Sequence, residues 1–249
     1  MTAPHHSPPV HDRHDSSSTA GARRDGDDPL GLSQLIASGV IDVVPGVPPV
    51  PITVWRVADP DDPYRHDLDG LTGRTAQLLV GLYTRPGDTI VSLGDDPAIA
   101  GAAGAGGCRY LAVDAAHRLA DLDHVSGAVR LVILRWPPAI HAAEPSMDPE
   151  AMVDLFTACR VLLAADGYTI VAVPPATAER VEHLWQLVPA ARKAGLGWVE
   201  QIVAVTAAID GDHLAIPATP TDRATLRLAD DLSVHIDLYV FVIRGGRRG

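Results

Sequence analysis

Between Leu71 and Ala194 the chain alternates helical stretches with short, almost wholly apolar strands, and after Ala194 that alternation stops. Leu71 to Tyr83 has helical spacing, with Leu71, Leu78, Leu79 and Leu82 on one stripe. Arg85-Pro86-Gly87-Asp88 predicts a turn, and Thr89 to Leu93 a strand. The pattern continues with a small-residue helix at Ala98 to Ala105, a strand at Tyr110 to Val113 and a helix at Ala115 to Leu122. Strand Val129 to Leu134, helix Pro149 to Leu163, strand Tyr168 to Val173 and helix Thr177 to Ala194 follow. Apolar strands separated by helices predict a parallel sheet covered on both faces. Trp198 to Ala207 and Leu232 to Ile243 then read as long strands joined only by a Pro- and Asp-bearing link, hence an antiparallel finish.

Upstream, a short helix at Leu30 to Ser38 leads through VVPGVPPVP to a strand at Ile52 to Val57, and Ala58 to Asp69 is an acidic, Pro-bearing loop. Residues 1–29 are polar, rich in Pro, Ser and Asp, and without apolar period, which predicts a disordered tail. The expected division is therefore tail 1–29, extension and loop 30–69, and main domain 70–249. His5, His6, His11 and His14 lie in the tail, where no fixed geometry would hold a metal, so no metal site is expected. With 47% hydrophobic residues among 249, the chain can bury a core. It has no charge-free apolar run long enough to span a membrane, and its first residues do not read as a secretory signal. Cys108 and Cys159 stand alone, so a cytoplasmic location is the expectation. The net charge of −11 disfavours direct binding to duplex DNA.

Particular segments resemble the S-adenosylmethionine-dependent methyltransferases, and among them the DNA amino-methyltransferases. LTGRTAQLLVGLYTRPGDTIVSL is similar to the approach to their motif I, and CRYLAVD to their second strand. LVILRWPP stands in the place of their DPPY motif, and HIDLYVFVIRGG resembles their closing strand. The likeness covers Trp55 to Gly246, with order and spacing kept and each motif degenerate. It implies a three-layer α/β/α, Rossmann-like domain with a mostly parallel seven-stranded sheet and an antiparallel terminal strand. S-adenosylmethionine is the implied cofactor.

Carried over by position, the resemblance puts Ser92, Gly94, Asp95 and Asp114 at the cofactor and Trp136, Pro137 and Pro138 at the methyl acceptor. Ser92 replaces an acid. Asp95, Asp96 and Pro97 replace small residues, so their side chains would narrow the turn and crowd the cofactor. Asp114 reads either as an acceptor for ribose hydroxyls or as a cap on the following helix. Trp136 replaces the polar acceptor of the exocyclic amine, and an indole N–H can only donate. Ala139 replaces the base-stacking aromatic.

Other candidates have plainer readings. Gly101, Gly104, Gly106 and Gly107 lie too far past the strand for a dinucleotide fingerprint and read as close helix packing and a helix stop. Asp62-Pro63-Tyr64 reads as part of the acidic loop. His235, Asp237 and Tyr239 share one face of the last strand. Glu144 and Asp148 follow the acceptor motif and could touch substrate, Cys159 reads as core, and the basic terminus Arg244, Arg247 and Arg248 as a solvated end. Two classes stay open: a methyltransferase with weakened or lost activity (a pseudoenzyme), or a non-catalytic binding module on the same fold. The acceptor is unassigned, and a partner subunit could carry any DNA-binding part.

Overall fold

The computed structural model describes residues 31–43, 50–58, 71–136, 148–173, 180–210, 213–215 and 235–245. Eight strands form one sheet in the order β1-β2-β7-β10-β6-β5-β3-β4. They are β1 (Ile41–Val43), β2 (Ile52–Arg56), β3 (Thr89–Leu93), β4 (Arg109–Val113), β5 (Val129–Arg135), β6 (Leu163–Val173), β7 (Leu196–Val205) and β10 (His235–Ile243). β8 (Ala208–Asp210) and β9 (His213–Ala215) pair apart from it. The β2–β7, β3–β4, β3–β5 and β5–β6 ladders are parallel, while β10 runs antiparallel between β6 and β7. All seven expected strands are present. The eighth, β1, adds antiparallel to β2 at the outer edge, so the sheet exceeds the expected seven.

Two helical layers cover the sheet. α1 (Leu32–Ala37), α2 (Gly73–Tyr83) and α3 (Pro97–Ala105) lie on the face of Trp55, Ile90, Ile133 and Leu238. The 3₁₀ segment Ala116–Val125, α4 (Pro149–Leu162) and α5 (Arg180–Lys193) cover the face of Val91, Leu134, Val171 and Tyr239. The central strands are buried on both sides, which is why they read as unbroken apolar runs. This is a three-layer, Rossmann-like architecture.

Local chemistry sets the element ends. Thr72 caps α2 by accepting from the Thr75 N–H at 3.1 Å, and Asp148 caps α4 by accepting from the Glu150 N–H at 3.4 Å. Asp148 thus serves a helix terminus. α4 runs straight into β6, and Gly167 is needed at their junction with β5. A Cβ there would lie 2.8 Å from the Val129 carbonyl oxygen. The stretch expected to be a helix at Ala115 to Leu122 is instead a kinked 3₁₀ segment. α3 ends at Gly106 and Gly107 as expected, but Cβ atoms on Gly101 and Gly104 would meet open space, so those two do not mark close packing.

An ionic cluster ties together the amino ends of β3, β5 and β6. The Arg130 guanidinium pairs with Asp166, lies 4.0 Å from Asp88 and donates to the Tyr83 carbonyl at 3.3 Å. The Arg130 hydrogen bond, opposed in part by burial and aided by the charges of Arg130 and Arg85, holds the Asp166 carboxyl below its usual range. A folded-state value below the unfolded one stabilises above the usual carboxylate range, and that gain fades as pH falls through the lowered value. Asp166→Asn should therefore cost a small amount of stability at neutral pH, the pair being solvent-screened. The difference from wild type in urea midpoint should shrink as pH falls through the lowered Asp166 value and vanish below it.

Candidate functional site at the carboxyl edge of the sheet

From β3 the chain passes to β4 on one side and then returns to β5 on the other, so the order reverses at β3. In an open α/β sheet the carboxyl ends at such a reversal flank the default ligand crevice. Here those ends carry Ser92 to Pro97, Asp114, and Arg135 with Trp136. β10 is antiparallel, so its first residues, His235 and Asp237, reach the same edge.

Ser92 is the fourth residue of β3, fully buried, and alternates with Ile90 towards the α2–α3 layer. Its hydroxyl has no hydrogen-bond partner of normal geometry among the described residues. Gly94 follows with φ of +89°, a conformation that favours glycine, and its N–H donates to the Val113 carbonyl at 2.7 Å. A Cβ on Gly94 would meet nothing within 4 Å, so the turn faces open space.

Asp95 is exposed and Asp96 is not. Asp96, 2% exposed, is the N-cap of α3, with Oδ1 accepting from the N–H groups of Ala98 at 3.0 Å and Ile99 at 3.1 Å. Oδ2 lies 3.5 Å from the Leu71 N–H, and the Asp96 N–H donates to the Tyr110 hydroxyl at 3.0 Å. The amide groups a helix N-terminus offers an anionic ligand are thus taken by the chain's own carboxylate. Of the three expected intruders into the turn, Asp95 and Pro97 are exposed and Asp96 is buried.

Tyr110, on β4, completes this corner. Its hydroxyl lies 3.5 Å from Asp95 Oδ1. Burial raises its pKa, while the Asp96 N–H and the nearby Ser92 hydroxyl pull the other way and the two Asp charges add to the rise. Asp114 is exposed at the tip of β4. It does not cap the following segment, whose N-cap is Ala115 with no side-chain cap bond.

Trp136 extends the β5 ladder by one bond, its N–H donating to the Ala172 carbonyl at 2.8 Å. Its indole is 2% exposed and packs into the core with Leu134, Met152 and Val171, on the α4–α5 face. Ser92 and Trp136 therefore point into opposite layers, and among the described residues of the expected set Gly94, Asp95 and Asp114 lie at the open edge. Asp237 is buried, and His235 Nε2 lies 3.8 Å from its Oδ2. Cys159 is core, and burial pushes its thiol up to about 12. Pro137, Pro138, Ala139, Glu144, the Asp62-Pro63-Tyr64 segment, Arg247, Arg248 and residues 1–29 lie outside the described residues. Among the described residues, no three His, Cys, Asp or Glu side chains could hold a metal together. No helix among them is long and apolar enough to cross a membrane.

No protein-family model matches the chain, and no curated protein does. Solved structures do. Geranyl diphosphate C-methyltransferase from Streptomyces coelicolor A3(2) matches at 15% identity and a TM-score of 0.39, covering 68% of this chain and 76% of its own. A TehB-like SAM-dependent methyltransferase from Corynebacterium glutamicum gives 13% and 0.38, with 71% and 90% covered. The Methanococcus jannaschii fibrillarin pre-rRNA processing protein gives 10% and 0.37, with 82% and 98%. The fold assignment rests on the strand order.

The residues can be set against S-adenosylmethionine directly. Gly94 and Asp114 offer an open turn and an exposed acid, as a ribose contact needs. Two neighbouring residues do not fit the group. Ser92 is sealed beneath the turn, and Asp96 occupies the helix terminus. Tyr110 and the capping role of Asp96 were not foreseen, although Asp-Pro is a cap followed by a first-turn proline and was readable as such.

Proposed function

We propose that this chain is an S-adenosylmethionine methyltransferase-like protein, related to the DNA amino-methyltransferases, in which amino-methyl transfer has been lost. One observation carries the reading. The residue in the place of the amine acceptor, Trp136, is a core side chain, and its indole N–H can only donate. An exocyclic amine held for methylation needs an acceptor within hydrogen-bond reach. The closed α3 terminus adds to this, because Asp96 puts a negative charge where the cofactor's carboxylate would approach. S-adenosylmethionine is the cofactor implied by the resemblance; of its carried-over set Gly94, Asp95 and Asp114 are at the open edge, while buried Ser92 and the Asp96 cap oppose its binding. A cytoplasmic location and division into a tail, an extension and a main domain belong to the same reading. The net charge of −11 supports a partner subunit, rather than this chain, as the carrier of any duplex-DNA contact.

Incubation of the full chain with isotopically labelled S-adenosylmethionine and oligonucleotides, single-stranded and duplex, tests the loss of activity. No label should enter adenine or cytosine amino groups above a no-protein control. Transfer that persists through purification and disappears in Asp114→Ala would overturn the reading.

A further inference from the structure

The carboxyl ends of α4, α5 and β10 meet at the amino edge of the sheet, opposite the candidate crevice. Each brings cations to the turn that precedes β7. Arg160 comes from the last turn of α4, Arg192 and Lys193 from the last turn of α5, and Arg244 follows β10. All four are exposed. The turn gathers them. The Gly195 N–H donates to the Arg192 carbonyl at 3.1 Å, and the Gly195 carbonyl accepts from the Arg244 N–H at 2.9 Å. A Cβ on Gly195 would stand 3.2 Å from Arg160 Cδ, and one on Gly197 would stand 3.1 Å from Arg244 Cγ. Glycine weakens a strand interior, and at Gly197 the bare Cα seats the Arg244 stem. None of the four cations pairs with a described carboxylate. Asp166, at the start of β6, is held by Arg130 instead.

We propose that this corner docks a short acidic segment of a partner protein. Cations at a helix C-terminus answer its partial negative charge, which accounts for part of the cluster. Arg244 ends a strand and has no such task. In a chain of net charge −11, four cations around one turn reverse the sign locally. The reversal is short-ranged, because exposed charges are screened over about 8 Å at physiological salt. A nucleic acid would extend past the corner over a chain with an acidic excess, whereas a segment of a few residues would not. Phosphate groups favour the N–H groups of helix N-termini, and here both helices present carbonyl ends. A peptide brings N–H donors for carbonyls together with carboxylates, which the planar arginine fork binds through two parallel bonds. Val161, beside Arg160 and 48% exposed, offers the segment an apolar contact. A second copy carries the same surplus of negative charge, so a different protein is the favoured source. The surface lies across the sheet from the proposed methyltransferase crevice and does not depend on that reading.

Titration of the isotopically labelled full chain with N-acetyl-hexaglutamate amide at about 20 mM salt tests the surface, read from the Gly195 and Gly197 amide resonances. Saturable shifts with a Kd of about 0.1–1 mM are expected. Binding should weaken by about tenfold or more at about 0.3 M salt, and likewise in the double variant Arg160→Gln, Arg192→Gln. Both side chains are exposed, so the variant should fold, and the salt series uses the wild-type chain and stands without it. Equal binding of the hexaglutamine peptide, or no saturable shift up to about 10 mM, would overturn the surface. Tighter binding of tripolyphosphate or of an oligothymidylate would overturn it in favour of a phosphate site. Salt-sensitive dimerisation in sedimentation, lost in the double variant, would overturn it in favour of a second copy.

Discussion

Trp136→Ala should lower the unfolding free energy by about 3–5 kcal/mol, among the largest losses expected for any single truncation in this chain. Trp136 is 2% exposed and belongs to the core on the α4–α5 face, so removing its indole leaves a cavity in that core. For a chain of this size the melting temperature should fall by about 10 °C. The consequence matters for function as well as stability. A tryptophan that held a base or an amine would face a solvent-filled crevice, and its loss would cost about 1 kcal/mol or less. A small shift in the melting curve of Trp136→Ala would therefore return this residue to the acceptor site.

Asp96→Ala should cost about 2–3 kcal/mol, measured by urea denaturation. Removing a cap costs about 0.5–2 kcal/mol, and leaving buried N–H groups without acceptors adds to it. Three such groups are involved here, on Leu71, Ala98 and Ile99. Asp96→Asn keeps an acceptor at the same position and should recover most of the loss. If alanine and asparagine are equally harmless, the carboxylate is not filling the helix terminus, and the corner formed by Asp96 and Tyr110 is open to a ligand.

Much of the architecture was readable because the central strands are buried on two faces. Thr89 to Leu93 and Val129 to Leu134 have few polar residues to interrupt the signal, and the Pro- and Asp-bearing link read from the sequence after Ala207 pointed to the antiparallel strand. β1 was not readable: Ile41–Val43 is three residues long, stands at a sheet edge and precedes a proline-rich run. The start of β6 was hidden for a different reason. Leu163 to Gly167, LAADG, looks like a helix end, and its extended conformation comes from pairing with Val129 rather than from local preference.

The site was less legible than the fold. Alternation on β3 and β5 was visible, yet only the assembled layers show that Ser92 and Trp136 face opposite ways. Asp96 was noticed as an intruder in a cofactor turn, although its sequence context, a carboxylate before Pro97, states a cap. Tyr110 gave no signal, since its role depends on β4 lying beside β3 in the register that brings it near Ser92.

Calorimetric titration of S-adenosylmethionine into the folded full-length chain tests the closed turn most directly. A terminus filled by Asp96 and a buried Ser92 predict no saturable heat up to about 1 mM ligand. A Kd of about 10 μM or tighter, lost in Asp114→Ala, would contradict it.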